Sequence, residues 1–343
     1  MNNVYSLVGL AIWFALSSPQ FVAADKVKVI DGKQSSGRLA ENSPTELMIE
    51  LGATKKTFAV NTIETVSFEA EPSDLTQARN AVRTGRYEDA LALLDKIAVE
   101  SLNRDEIVQD VEFYKALAAA RLALAGSGSK ADAGKKLLAF EKAHKTSFHY
   151  FETCEALGDL LAALNKFDQA ESYFAKLGSA PWPDYKMRAG VLAGRALVGQ
   201  KEYARALAKF EEVLATEATG KEADRQKLAA TLGKAAALVG GGKSDEAIKS
   251  VEEIIAKADP ENVELHARAY NILGNAYRGA GKKKEALLAF LHVDLLYSKF
   301  PDQHAEALAN LATLWTEVDK ADRAAQARSV LNEKYPDSVW VTK

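Results

Sequence analysis

An alanine recurs at one register along most of this chain, at Ala90, Ala170, Ala206, Ala247, Ala286 and Ala324, with a weaker unit around Ala133. From Ala170 onward the spacings are 36, 41, 39 and 38 residues. Gly158, Gly194 and Gly274 hold a matching small-residue place upstream, and Ala78, Ala235 and Ala312 substitute for glycine elsewhere. Phe174, Phe210 and Phe290 follow their alanines at a constant offset. Small residues at fixed points let two antiparallel helices cross closely, and large ones beside them fill the gap. A period of this size marks a stacked helical array, because one helix pair cannot bury its apolar face alone. Composition agrees, with about 60 alanines and 8 prolines in 343 residues. Pro181, Pro183, Pro260, Pro301 and Pro336 all fall between helical patterns rather than inside them.

The two clearest units align residue for residue. Leu157–Phe174 (LGDLLAALNKFDQAESYF) lies over Leu273–Phe290 (LGNAYRGAGKKKEALLAF), matching Leu-Gly, the register alanine and the closing phenylalanine. This pattern resembles the tetratricopeptide repeat, with units a few residues longer than usual. The resemblance implies a mainly α fold of about seven helix pairs over residues 73–340, coiled into a superhelix with a concave face. The departures are greatest around Gly126–Lys130 and in the last unit, where Arg328 takes the aromatic's place, a polar replacement suited to a terminal cap.

Upstream the pattern changes. Residues 1–24 contain no Lys, Arg, Asp or Glu and carry an apolar run from Val4 to Leu16, about 13 residues. That is short of the roughly 20 needed to cross a bilayer. The run ends in Phe21-Val-Ala-Ala24 before Asp25, so residues 1–24 read as a signal peptide and the protein as extracytoplasmic, periplasmic or secreted. An uncleaved N-terminal membrane anchor is the alternative, since the leader lacks a basic residue. Residues 25–71 alternate with period two. Leu47, Ile49 and Leu51 share a face, and Val27 with Val29, Leu39, Phe58 with Val60, and Val66 with Phe68 supply four more strands, Asn61–Glu64 forming a helical turn before the last. Five short strands predict a small closed β-barrel of SH3-like or Sm-like order. Pro72 marks the boundary, with Ser73 or Asp74 expected to cap the first helix.

Several chemistries are disfavoured. The net charge of −3 argues against nucleic acid. A lone Cys154 allows neither an internal disulfide nor a cysteine-rich metal site, and it reads as a buried thiol. Five histidines, His144, His149, His266, His292 and His304, lack the spacing of three or four that puts two ligands on one helix face, so no metal or other cofactor is expected. Ala237–Ser244 (ALVGGGKS) matches a relaxed phosphate-loop pattern, but alanine-rich helix precedes it where a strand is needed, and Ser244 is expected to cap the next helix. With no nucleophile elbow either, the chain reads as a non-enzyme.

The candidate binding surface is a polar stripe. Arg268, Asn271, Asn275 and Arg278 share one face of a helix, while Tyr270, Leu273 and Tyr277 take another, and Asn310 belongs to the neighbouring first helix. Two amides and a basic group resemble the carboxylate clamps of some tetratricopeptide proteins, although Asn271 stands where a clamp usually has lysine. The favoured function is a scaffold that binds a protein or peptide partner on the concave face, with the β module as docking element. The alternative is a ligand-binding or enzyme-accessory protein that grips a glycan or small molecule between exposed Tyr270, Tyr277 and Trp315.

Overall fold

The computed structural model describes residues 24–336 and 338–341. The predicted leader therefore lies, apart from Ala24, outside the described residues. Five strands come first: β1 (Asp25–Val29), β2 (Gln34–Asn42), β3 (Glu46–Leu51), β4 (Thr54–Ala59) and β5 (Ile63–Ser67), with a 3-10 turn at Val60–Thr62. All neighbours are antiparallel, in the order β4-β3-β2-β1-β5. Val27 lies opposite Val66, Leu39 opposite Ile49 and Leu47 opposite Phe58, so the alternation puts one apolar set on one face. A register shift between Leu39 and Glu41 turns β2 from its pairing with β1 to its pairing with β3. Gly37 sits where a Cβ would lie 2.3 Å from the Glu50 carbonyl oxygen, so only glycine fits there.

The closed barrel predicted from the strand pattern is not formed. The sheet is open, and β4 and β5 are its two edges. The physical reason is that helices, not a closing strand pair, cover its apolar face. Val27, Leu39, Leu47, Ile49, Phe58, Val66 and Phe68 share one core with Leu75, Ala78, Ala90, Leu94, Ile107 and Val111. Polar ties reinforce the junction. Arg104 donates to both oxygens of buried Asp25 at 2.7 and 3.0 Å, and the same carboxylate accepts from the Leu39 and Glu69 N–H groups.

Among the described residues fourteen α-helices follow in seven pairs. They are α1 (Ser73–Arg83) with α2 (Tyr87–Leu94), α3 (Asp105–Leu124) with α4 (Lys130–Ala143), α5 (Tyr150–Ala163) with α6 (Phe167–Gly178), and α7 (Pro183–Gly199) with α8 (Tyr203–Leu214). The last three are α9 (Lys221–Gly240) with α10 (Ser244–Lys257), α11 (Val263–Gly279) with α12 (Lys283–Leu296), and α13 (Pro301–Glu317) with α14 (Ala321–Lys334). Neither Ser73 nor Ser244 caps as expected. Each is the first residue of its helix, and Pro72 and Lys243 hold the cap positions without a side-chain hydrogen bond.

The repeating alanines are the crossing points of these pairs. Ala90, Ala133, Ala170, Ala206, Ala247, Ala286 and Ala324 are all buried. A Cβ on Gly158, Gly194 or Gly274 would meet the ring of Phe174, Phe210 or Phe290 at 2.3, 2.6 and 2.7 Å. Arg328 is exposed and donates to Thr316, in keeping with its place on the outer face of the last unit.

A second regularity lies in the turns. Five residues before the register alanine, Gly85, Asn165, Lys201, Gly242, Gly281 and Asp319 all have positive φ, between 56° and 80°. The next residue in each case donates its N–H five residues back, as Lys243 does to Leu238 and Lys320 to Trp315, which closes the first helix and reverses the chain. In the second unit Gly126 does this, and Ser127 donates to Leu122. That turn is two residues further from Ala133, which is why this unit reads weakly in the sequence.

Candidate functional site

The first helices of the second to sixth pairs, with the start of α13, line one common space. A cavity of about 950 Å³ is lined by residues of α3, α5, α7, α9 and α11, by Thr84, Gly85 and Tyr87 before and at the start of α2, and by Lys299–Gln303 at the entry to α13. One space thus touches the first unit and the last. Its charged lining is Arg121, Arg188, Arg195, Arg225, Arg268 and Lys299 against Glu155, Asp159, Glu264 and Asp302, a basic excess in a chain whose net charge is −3.

The charges are unequally compensated. Arg188 pairs with Glu155 at 2.6 Å, and Arg121 donates to Asp159 at 3.3 Å. Glu155 and Asp159 are one turn apart on α5, and burial pushes both carboxyls above their ordinary values, with mutual repulsion adding to the rise at Glu155. A carboxyl raised in the folded state adds stability below its unfolded value and withdraws it as pH rises through the folded one. Glu155→Gln is therefore expected to flatten the loss of stability that the parent chain shows as pH climbs above about 4.5. Denaturant midpoints across pH 4 to 8 check this, and parallel curves for the two proteins count against it.

Arg195 and Arg268 differ from the other arginines of the cavity. Neither makes a hydrogen bond or ion pair with another described residue, though Arg195 feels the longer-range fields of Asp159, Glu264 and Glu155. Burial, with Arg268 close by, pushes Arg195 down to about 9. A guanidinium so placed is still charged at neutral pH.

The predicted stripe is split between two roles. Arg268 opens into the cavity. The others tie α11 to α13: Asn271 donates to the Gln303 carbonyl at 2.9 Å, Asn275 to Glu306 at 2.9 Å, and Arg278 to the Asn310 amide oxygen at 3.1 Å, while Asn310 donates to the Glu306 carbonyl. Asn271 and Asn310 are buried. Helical spacing placed these residues on one face, but that face meets the next unit as well as the groove. Tyr270 stacks on His292 at 4.5 Å, the Tyr277 hydroxyl donates to Glu252, and Trp315 lies under Arg323. All three rings are half-buried and pack against the core clusters of the last units.

The other sequence candidates resolve into packing. The glycines of Ala237–Ser244 end α9 and supply the left-handed Gly242 of the turn. Cys154 is fully buried and burial pushes its thiol up to about 11, which keeps it protonated. His149 belongs to a buried network that sequence reading missed. Arg79 donates twice to Glu71 and once, at 2.6 Å, to Asp110, whose other oxygen lies 2.7 Å from His149 Nε2. The imidazole is sandwiched between Phe113 and Phe148, at 3.7 and 3.9 Å. The four polar residues lie on separate elements spread over 79 positions, so no local spacing announces them.

A family model described as Tetratricopeptide repeat matches residues 191–262 and 232–293, which span α7 to α12. These are tetratricopeptide repeats. The remaining pairs repeat the same alanine register and the same turn geometry. Among solved structures the chain is similar to a Rap protein complexed with Competence and Sporulation Factor, with 14% identity, TM-score 0.57, and 78% of this chain and 76% of that one covered. It is likewise similar to a tetratricopeptide repeat protein from Parabacteroides merdae, with 15% identity, TM-score 0.55, and 79% and 98% covered. At these identities the likeness is one of fold. No curated protein sequence matches the chain significantly.

Proposed function

We propose that this tetratricopeptide protein is a non-enzymatic scaffold that holds an extended peptide or protein segment along its concave face. The observation that carries the reading is the cavity of about 950 Å³ lined by successive first helices. Its walls mix arginine and carboxylate groups with short apolar side chains such as Val191 and Ala229, a lining suited to a peptide backbone with alternating side chains. The packing of Tyr270, Tyr277 and Trp315 into the stack leaves no aromatic platform of the kind a glycan would need from these rings, and so favours peptide over sugar. The similar Rap protein was solved with Competence and Sporulation Factor, which supports the same reading. In this reading the sheet is the docking element, through its edge strand β4, exposed from Thr54 to Thr57. The extracytoplasmic location rests on the leader; among the described residues no helix is long and apolar enough to cross a membrane.

Peptide display on the full chain tests the reading. Ala229 lines the cavity without being fully buried, so Ala229→Trp should fill the groove without displacing core atoms. Peptides selected on the parent chain are expected to lose at least about tenfold in affinity for the variant, which corresponds to about 1.4 kcal/mol. Hydrogen exchange on the same complexes should show protection in α5, α7, α9 and α11. Undiminished binding to Ala229→Trp, or protection confined to the sheet, overturns the reading.

A further inference from the structure

We infer that Arg195 and Arg268 form an anion subsite in the cavity, which receives one carboxylate of the bound peptide, from an Asp or Glu side chain or from its C-terminus. The inference rests on the peptide-groove reading and adds the chemistry of the ligand. Arg195 on α7 and Arg268 on α11 line the same cavity, 73 positions apart in sequence. They are close enough that the Arg268 charge acts on Arg195. The other three arginines there each have a carboxylate at hand: Arg121 has Asp159, Arg188 has Glu155 and Arg225 has Glu222. Arg195 and Arg268 make no hydrogen bond or ion pair with any described residue.

Two neighbouring cations in a confined cleft repel one another, and their desolvation is offset by no direct partner. Each guanidinium carries five N–H donors in a planar fork, and a carboxylate between them can accept from both. A carboxylate fits better than a polyanion because Glu155, Asp159, Glu264 and Asp302 also line the space and would repel extended negative charge. One acidic group at the arginine pair, with neutral or basic residues on either side, is the pattern this lining accepts.

The test uses an array of octapeptides of varied sequence, each made with a free and with an amidated C-terminus, against the full chain. The strongest binders are then measured on the parent, on Arg195→Gln/Arg268→Gln, and on Arg225→Gln, which neutralises an exposed and already paired arginine of the same cavity. The expected result is that the binders carry Asp or Glu, or else depend on a free C-terminus, the two arms separating the sources of the carboxylate. The double variant should weaken them at least tenfold and Arg225→Gln less than threefold. Circular dichroism and the melting temperature of the double variant should match or exceed the parent's, since a repulsion is removed. Equal losses in the double variant and Arg225→Gln reduce the effect to general charge, and equal affinity for the double variant and the parent removes the subsite. Either outcome overturns the inference while leaving a groove that Ala229→Trp still blocks. An array with no binder at all defeats the groove reading, and the subsite with it.

Discussion

Asp110→Ala is expected to cost about 3–5 kcal/mol of folding stability, the range for removing one partner of a buried ion pair. Asp110 is 1% exposed, and its two oxygens serve Arg79 and His149. Without it Arg79 keeps Glu71, but its Nε–H loses its acceptor, and His149, stacked between two phenylalanine rings, loses its only ring hydrogen bond among the described residues. The damage falls where the sheet, α1, α3 and the entry to α5 meet, so it loosens the junction and not one helix. Glu112→Ala is the control. Its carboxylate also meets a histidine, His144 at 2.8 Å, but is about half exposed, and such pairs contribute about 0–1 kcal/mol. The two variants should also differ with pH. Burial alone would raise the Asp110 carboxyl, but Arg79 and His149 outweigh it and hold the group below its ordinary 3.8. Its contribution is present above that value and is lost as pH falls through the folded one. The parent should therefore lose part of its stability in acid that Asp110→Ala has already lost. A midpoint for Asp110→Ala within about 1 kcal/mol of that for Glu112→Ala removes the network as a structural keystone.

How much of this was legible in the sequence follows from the range over which each feature acts. The alanine register was readable because close helix crossing admits only a small side chain, and the same requirement recurs in every unit. The turn signal was present as well but hidden, since Gly85, Asn165, Lys201 and Asp319 share a left-handed backbone and little else. Strand alternation located all five strands, but closure depends on what covers the apolar face, and Leu75, Ala78 and Leu94 come from helices outside the β segment. The polar stripe on α11 illustrates the same limit. Its spacing correctly put Arg268, Asn271, Asn275 and Arg278 on one side, but only the neighbouring α13 decides that three of them bond across the interface and one opens into the cavity. Arg195 gave no signal at all in sequence, because its distinguishing property is the lack of a partner.

Phe210→Ala should cost about 3–5 kcal/mol, the usual price of deleting a large buried aromatic ring, and it should also change how the molecule unfolds. Phe210 is fully buried on α8. A Cβ on Gly194 of α7 or on Gly233 of α9 would touch its ring at 2.6 or 2.3 Å, so the ring fills the seam between the fourth and fifth helix pairs. In a repeat array each unit is stabilised through its neighbours, so weakening one seam near the middle should separate the unfolding of α1–α8 from that of α9–α14. Denaturant unfolding followed by helical circular dichroism should then broaden or split, and hydrogen exchange should show the two halves with different protection. Gly233→Ala tests the same contact from the other side, with an overpacking cost of about 1–3 kcal/mol. Combined, the two changes should be less damaging than their sum, because the methyl group enters the space that the ring has left. Strict additivity would falsify the ring-against-glycine seam, since two substitutions that never share a space have no reason to offset each other.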